Sequence, residues 1–423
     1  MKFSMTILGC KVNAYEAEAV ASALVQQGFE RVAEGEPADI SVVFTCAVTN
    51  TASQKSRQMI RRGKRLNPSC IVAAAGCYTQ ISREMDEDAE IIIGTEFKQE
   101  LPAYIEEYLR TGEKIRKISE LKNTPFEAAS ADHFTTQTRA YLKIQDGCNQ
   151  FCSYCIIPYA RGRERSLDPE SVLKEVRTLT ENHTEIVLTG IHTGRYGKEY
   201  GVTMTEMIRR ILEEETRLQR LRISSIEITE IDDDLIRLMK QDNRIARHLH
   251  IPLQSGCDRT LKAMNRPYTT AEYLQRIREI REAIPDISIS ADLIVGFPGE
   301  TEEDYAETKE FLRTCEFSFL HVFPFSLRSG TRAEQMSGHL DVSVKKQRTA
   351  ECIRISEELY DQYKKRWIGR TASVITERNT GGYATGHTSE YIPVKIKGEQ
   401  ERGILMDVRI TGIIDHEVYA ERV

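Results

Sequence analysis

The stretch AYLKIQDGCNQFCSYC, residues 140–155, decides how the rest of the chain is read. AYLKIQ reads as a strand. Directly after it, Cys148, Cys152 and Cys155 follow the spacing Cys-x3-Cys-x2-Cys, and no fourth cysteine or histidine comes close behind. A structural zinc site takes four protein ligands, often in two pairs, and no second pair is present. Haem attachment requires Cys-x2-Cys-His, and Ile156 stands in the histidine position. Three thiolates in one tight loop suit three corners of a [4Fe–4S] cube and leave the fourth iron to an exogenous ligand. The competing reading, three buried structural cysteines, sits poorly with the reactivity of thiols so grouped.

Working outward, the chain of 423 residues has room for two or three domains. Apolar residues make up 40% of it, and the net charge of −6 makes it no globally basic nucleic-acid binder, so any RNA contact must come from local patches. The N-terminus MKFSMTILGC has no signal-peptide pattern, and no segment approaches the roughly 18–20 apolar residues of a membrane span. A cytoplasmic location is expected. There, ten cysteines point to metal or redox use rather than to a disulfide framework.

Three regions follow. In residues 1–130, the runs MTILGC, ISVVFTC, IVAAAGC and IIIGT read as strands alternating with helical segments, which predicts a doubly wound α/β domain. Residues 134–366 repeat strand and helix six times, through AYLKIQ, EIVLTG, LRISSIE, HLHIPLQ, SISADLIVG and FLHVFPF. This predicts a partial (β/α)6 barrel with its site at the carboxyl ends of the strands. Asp168-Pro169 predicts a helix start, and Thr301 with Asp304 a capping box. Residues 367–423 alternate like antiparallel strands with glycine turns, a small β-barrel of OB-like size. The fold class is therefore α/β with a β-barrel appendix.

Cys10, Cys46 and Cys77 each end an apolar run. If those runs are neighbouring parallel strands, the three thiols converge at the carboxyl edge where doubly wound sheets bind ligands. This predicts a second cluster with three ligands. Cys70 begins the run that Cys77 ends, roughly 23 Å away, and is left out.

Cys-x3-Cys-x2-Cys after the first strand of a partial barrel resembles the radical S-adenosylmethionine (SAM) superfamily. The whole chain is similar to the methylthiotransferases, through LGCKVNAYEAEA, TCAVTN, KSRQMIRR, GCY, QDGCNQFCSYCIIPYARGRERS, LTGIHTGRYG, RISSIE, HLHIPLQSG, DLIVGFPGETEEDY and HVFPFSLRSGT. GCKVN, IIPYARGRERS and TGIHTG resemble the branch acting on N6-threonylcarbamoyladenosine in tRNA. One departure is visible: Phe44-Thr45-Cys46 stands where the family commonly has Asn-Thr-Cys. The resemblance implies two [4Fe–4S] clusters, on Cys10, Cys46 and Cys77 and on Cys148, Cys152 and Cys155. It implies SAM as methyl donor and radical source, and a C-terminal TRAM domain. As partners it implies tRNA, an electron donor such as flavodoxin or ferredoxin, and a sulfur donor. The chemistry implied is methylthiolation of C2 of the modified adenosine. The same chemistry on isopentenyladenosine or on a ribosomal protein stays open, as does a non-enzymatic iron–sulfur RNA-binding protein.

Polar strand ends face the mouth of such a barrel. Thr189, Gly190, Ser225, Glu227, Gln254, Ser255 and Asp292 are the candidates there, and the resemblance implies that such strand ends hold SAM. His248 and His250 share one strand face, and an interior hydrogen-bonded role suits them better than a metal pair. For RNA, the basic run at 55–65 offers Lys55, Arg57, Arg61 and Arg62, and ARGRER offers Arg161 and Arg163. With lysines and arginines of the terminal β-domain, these are expected to surround one mouth. Tyr159, Tyr383 and Tyr391 are candidates for stacking on bases.

Overall fold

The computed structural model describes residues 1–82, 88–121, 124–129 and 138–423. The expected boundary at 130–134 lies outside them.

The first six strands form one all-parallel sheet: β1 (Lys2–Ile7), β2 (Glu30–Val32), β3 (Ile40–Thr45), β4 (Ile71–Gly76), β5 (Ile91–Ile93) and β6 (Ile115–Lys117), in the order β2-β1-β3-β4-β5-β6. The strands β3 and β5 are buried at every position, as covering both faces of a parallel sheet demands. The helices here are α1 (Lys11–Gln26), α2 (Asn50–Leu66), α3 (Cys77–Ile81) and α4 (Leu101–Thr111). The Thr49 side chain accepts from Ala52 N and starts α2. Sequence order reverses between β2-β1 and β1-β3, so the ligand edge of this sheet lies at the ends of β1, β3 and β4.

Next come β7 (Arg139–Lys143), the two-residue ladder β8 (Gln145–Asp146) with β9 (Arg165–Ser166), and α5 (Ile157–Arg161) between them. The ladder closes the base of the Cys148–Cys155 loop. The barrel continues through β10 (Glu185–Thr189), β11 (Arg220–Ile223), β12 (His248–His250), β13 (Ser288–Val295) and β14 (Phe319–Pro324). Its helices are α6 (Pro169–Thr180), α7 (Met204–Glu214), α8 (Asp233–Gln241), α9 (Asp258–Ala263), α10 (Thr270–Ala283), α11 (Glu302–Cys315) and α12 (Val342–Lys365). Two parallel triplets, β11-β10-β7 and β12-β13-β14, are joined by the bridges Leu221↔Ile245 and Ser225↔His250. The result is the six-stranded partial barrel expected. Asp168 caps α6, and Thr301 with Asp304 forms a capping box on α11.

The chain ends in a closed barrel of β15 (Thr371–Thr380), β16 (Tyr383–Thr388), β17 (Pro393–Lys397), β18 (Leu405–Ile414) and β19 (Glu417–Arg422). It docks on the starts of the larger barrel's strands. Arg220 donates to Ser373 O (3.0 Å) and His387 O (3.2 Å). Arg222 donates to Ser389 O (3.2 Å) and Thr388 O (3.3 Å). That is the end opposite the cysteine loop. The expectation that its basic residues surround the same mouth is therefore corrected. Among the described residues no helix is long and apolar enough to cross a membrane.

Candidate functional site

Each of Cys10, Cys46 and Cys77 occupies a strand-to-helix transition at the carboxyl edge of the first sheet. Cys10 is the N-cap of α1, Cys46 follows β3 directly, and Cys77 opens α3. The strands β1, β3 and β4 are adjacent, so thiols about 30 residues apart come together. Gly9 (φ +96°) makes this possible, because a Cβ there would lie 2.9 Å from Cys46 Sγ. Burial pushes the Cys46 thiol up to about 11, and Cys77 and Cys10 push the same way.

The second set lies on the loop between β8 and α5. Gly147 (φ +71°) starts it, and a Cβ there would strike Arg163 O. Burial pushes Cys155 up to about 12, with Cys152 and Cys148 adding to the shift.

Each set has one cysteine that accepts a hydrogen bond from a buried arginine. Arg161 Nε donates to Cys77 Sγ and Arg266 Nη1 to Cys152 Sγ, both at 3.3 Å. Burial raises both thiols, and the guanidinium beside each counters it. A guanidinium at a sulfur favours the thiolate, the form that ligates metal. All ten cysteines are free of disulfides. Among the described residues no three donors converge closely enough to share a single ion. Three thiols in each set match a cluster that leaves one iron to an outside ligand.

A cavity of about 180 Å³ borders the second set at Cys155 and reaches the segment just after Cys46. Its walls are Val48 and Thr49 beside Cys46, Tyr154 to Ile157 including Cys155, then Gln254, Asp292 and Ile294, and Phe323 to Ser326. Gln254 has φ +68°, an uncommon conformation for a side-chain-bearing residue. Its N–H donates to Asp292 O (2.8 Å).

The other expected SAM residues divide. Thr189 is buried at the end of β10, and Gly190 packs on Gln145. The Glu227 carboxylate pairs with Arg266, so it anchors the arginine that reaches Cys152. Ser225 is exposed and bridges His250. The hydroxyl of Ser255 accepts from Cys257 N and is turned to its own loop. His248 and His250 share the Ser290 hydroxyl, each at 2.9 Å, in the interior role expected of them.

Arg161 departs from expectation. Among six basic-looking positions it is fully buried. Its guanidinium donates to Glu16 Oε1 and Oε2 (3.0 and 3.1 Å), Asn13 Oδ1 (2.8 Å) and Asp146 (3.3 Å). The RNA contact expected of it is corrected: it ties the cysteine loop to α1. Lys55 and Arg61 are exposed on α2, where Arg61 pairs with Asp88 (3.0 Å). Arg57 and Arg62 are half-buried, and Arg57 donates to Tyr78 Oη. Arg163 is exposed and lies over Phe151, whose ring meets the exposed Tyr159 edge-on. Tyr383 meets Tyr419 edge-on. Tyr391 stacks on His248 at 4.9 Å, with Arg222 and Arg139 over its ring, so its faces are taken inside the protein.

Three residues escaped the sequence reading: Arg266, Glu16 and His192. His192 Nδ1 lies 3.4 Å from Cys148 Sγ, and its Nε2 lies 2.8 Å from Glu230. Burial lowers this imidazole, but those two partners outweigh it and hold it up at about 10. TGIHTG, a motif already noted, contains it.

Residues 142–312 match the radical SAM superfamily and residues 2–94 the uncharacterized protein family UPF0004. The chain is 40% identical to the threonylcarbamoyladenosine tRNA methylthiotransferase MtaB of Bacillus subtilis, over 95% of this chain and 92% of that protein. The protein of the same name from Aquifex aeolicus is 36% identical, over 97% and 100%. A tRNA-2-methylthio-N(6)-dimethylallyladenosine synthase of Natranaerobius thermophilus is 33% identical, over 99% and 96%. Among solved structures, the radical SAM methyltransferase TsrM of Kitasatospora setae shares the fold, at TM-score 0.54 and 15% identity, over 78% of this chain and 76% of that one.

Proposed function

Since this chain belongs to the radical SAM tRNA methylthiotransferase family, we propose that it converts N6-threonylcarbamoyladenosine in tRNA to its 2-methylthio derivative. The observation that carries this is the cavity beside Cys155, walled also by Thr49, Gln254 and Asp292. C2 of adenine offers no acidic proton or leaving group, so substitution there calls for radical chemistry rather than side-chain acid–base catalysis.

Cys148, Cys152 and Cys155 would hold one [4Fe–4S] cluster, and Cys10, Cys46 and Cys77 a second. When bound, the first would supply the electron that cleaves SAM and the second would hold the sulfur that is transferred. Arg266 and Arg161 stabilise the thiolates of Cys152 and Cys77. Gln254 and Asp292 are the strand-end residues assigned to SAM. The apolar walls formed by Tyr154, Ile294 and Phe325 keep water from the reacting carbon. Exposed Lys55, Arg61, Arg163 and Tyr159, with Arg57 and Arg62, form the tRNA face at the mouth. An electron donor such as flavodoxin or ferredoxin and a sulfur donor are the partners this chemistry needs.

The higher identity to relatives named for threonylcarbamoyladenosine supports that nucleoside over the dimethylallyl one. Mass spectrometry of tRNA nucleosides tests it. Cells lacking the protein are expected to lose 2-methylthio-N6-threonylcarbamoyladenosine and to accumulate its precursor. An unchanged level, in cells without a second such enzyme, refutes the assignment.

A further inference from the structure

Lys11, the residue after Cys10, is half-buried at the first position of α1. It reaches into the large barrel, within electrostatic range of Arg139, Arg222 and Tyr391, and of His248 and His321 on the far strands. The charges around it are matched. Glu185 pairs with Arg222 (2.7 Å), Glu377 with Arg139 (3.2 Å) and Asp292 with His250 (3.2 Å). Among the described residues Lys11 has neither an ion pair nor a hydrogen-bond partner, and no acidic residue stands in the first turn of its helix. His321, within its range, is exposed to solvent. An unpaired lysine beside charges that are already matched selects for an anion.

A nucleobase inserted into this barrel brings no charge of its own, and a dimethylallyl substituent adds none. A threonylcarbamoyl substituent ends in a carboxylate. We infer that Lys11 is the specificity-determining residue that receives the threonyl carboxylate of the substrate. This rests on the proposed function above. It gives the lysine of GCKVN a task that the cysteine beside it does not explain. The pair forms inside a barrel rather than in open water, where the attraction between such charges is strong.

The test compares two anticodon stem-loop RNAs, one carrying threonylcarbamoyladenosine and one carrying its methyl ester, in which the charge is gone and the shape nearly kept. The reconstituted wild-type enzyme is expected to favour the acid by about 100-fold in kcat/KM, the scale on which one charged partner in a site discriminates. Lys11→Gln is expected to bring the two substrates to within about threefold, by losing the acid rather than gaining the ester. Lys11→Arg, which keeps the charge, is expected to retain most of the preference. If Lys11→Gln lowers both substrates equally and leaves the preference intact, the inference is overturned. If Lys11→Arg loses the preference as fully as Lys11→Gln does, charge is not what is read, and it is overturned as well. Wild-type enzyme that accepts isopentenyladenosine RNA and neither of these two would instead remove the proposed nucleoside, a result distinct from either of the others.

Discussion

Replacing Arg161 by methionine removes a charge while nearly keeping the length of the side chain, and the structure sets the size of the effect. Arg161 sits among Glu16, Asp146, Lys98, Lys143 and Arg165, all buried. Without it Glu16 Oε1 keeps Lys143 (2.8 Å) and Lys98 (3.1 Å), and Asp146 keeps Arg165 (3.3 Å) and Lys143 (3.5 Å). Net charge is therefore not the main loss. Two buried oxygen acceptors, Glu16 Oε2 and Asn13 Oδ1, lose the arginine that serves them, as does the weaker acceptor Cys77 Sγ. At about 1–3 kcal/mol for each unsatisfied buried group, the expected destabilisation is about 2–6 kcal/mol, in the range of about 3–5 kcal/mol for breaking a buried pair. Urea titration followed by circular dichroism at neutral pH measures it. The surface variant Arg163→Ala is the contrast, expected within about 0.5 kcal/mol of wild type. A change below about 1 kcal/mol for Arg161→Met, with a clear loss of tRNA affinity, would refute the reasoning and restore this arginine to the RNA surface.

Arg163→Ala is instead expected to weaken tRNA binding and to reduce the slope of log affinity against log salt by close to one phosphate contact, about 0.7–0.9, as read by filter binding over a salt series. Cys152→Ala should abolish formation of 5′-deoxyadenosine, whereas Cys46→Ala should keep it and stop methylthiolation. Methylthiolated RNA from anaerobically purified Cys46→Ala protein contradicts a role for the second cysteine set. Iron and sulfide analysis of the reconstituted protein should give about eight irons per chain, falling to about four in Cys46→Ala. Acid supplies a further test. Burial pushes the Glu16 carboxyl up, but Arg161, Lys143 and Lys98 outweigh it and hold it well below its usual 4.5. A depressed carboxylate contributes stability above 4.5, lost as the pH falls through the folded value. The stability difference between wild type and Glu16→Gln should thus be full at pH 7 and shrink below pH 4.5, where titrations that stay parallel would exclude a charged Glu16.

Much of the scaffold was legible because its signals are local. ISVVFT and IVAAAG are apolar at nearly every position, as strands covered on both faces must be. The Asp168-Pro169 start and the Thr301/Asp304 box are encoded within four residues. The three early cysteines could be grouped because strand ends in a parallel sheet share an edge. The edge strands β2 and β6, three residues each, were missed because they are too short to show a period. The misread side chains share one cause. Arg161 and Arg163 are two residues apart in one basic run, yet one is buried and the other exposed. The difference is set by Glu16, 145 positions away. Tyr391 belongs to the terminal β-barrel by sequence and to the floor of the large barrel by packing. Arg266 reaches Cys152 across 114 positions. Nothing near any of them in sequence announces the partner.

The arginines that seat the terminal barrel grip main-chain carbonyls, at Ser373, His387, Thr388 and Ser389. Those contacts read backbone path, while the Ser373 hydroxyl (2.8 Å from Arg220), the Glu377 carboxylate on Arg139 and the Tyr391 ring on His248 are the side chains the joint depends on. The small barrel is in that sense a cartridge: the side chains that face away from the joint can be exchanged without rebuilding the socket. A graft of only the solvent-facing positions of β16 and β19 should therefore leave the joint and the fold of the larger barrel intact.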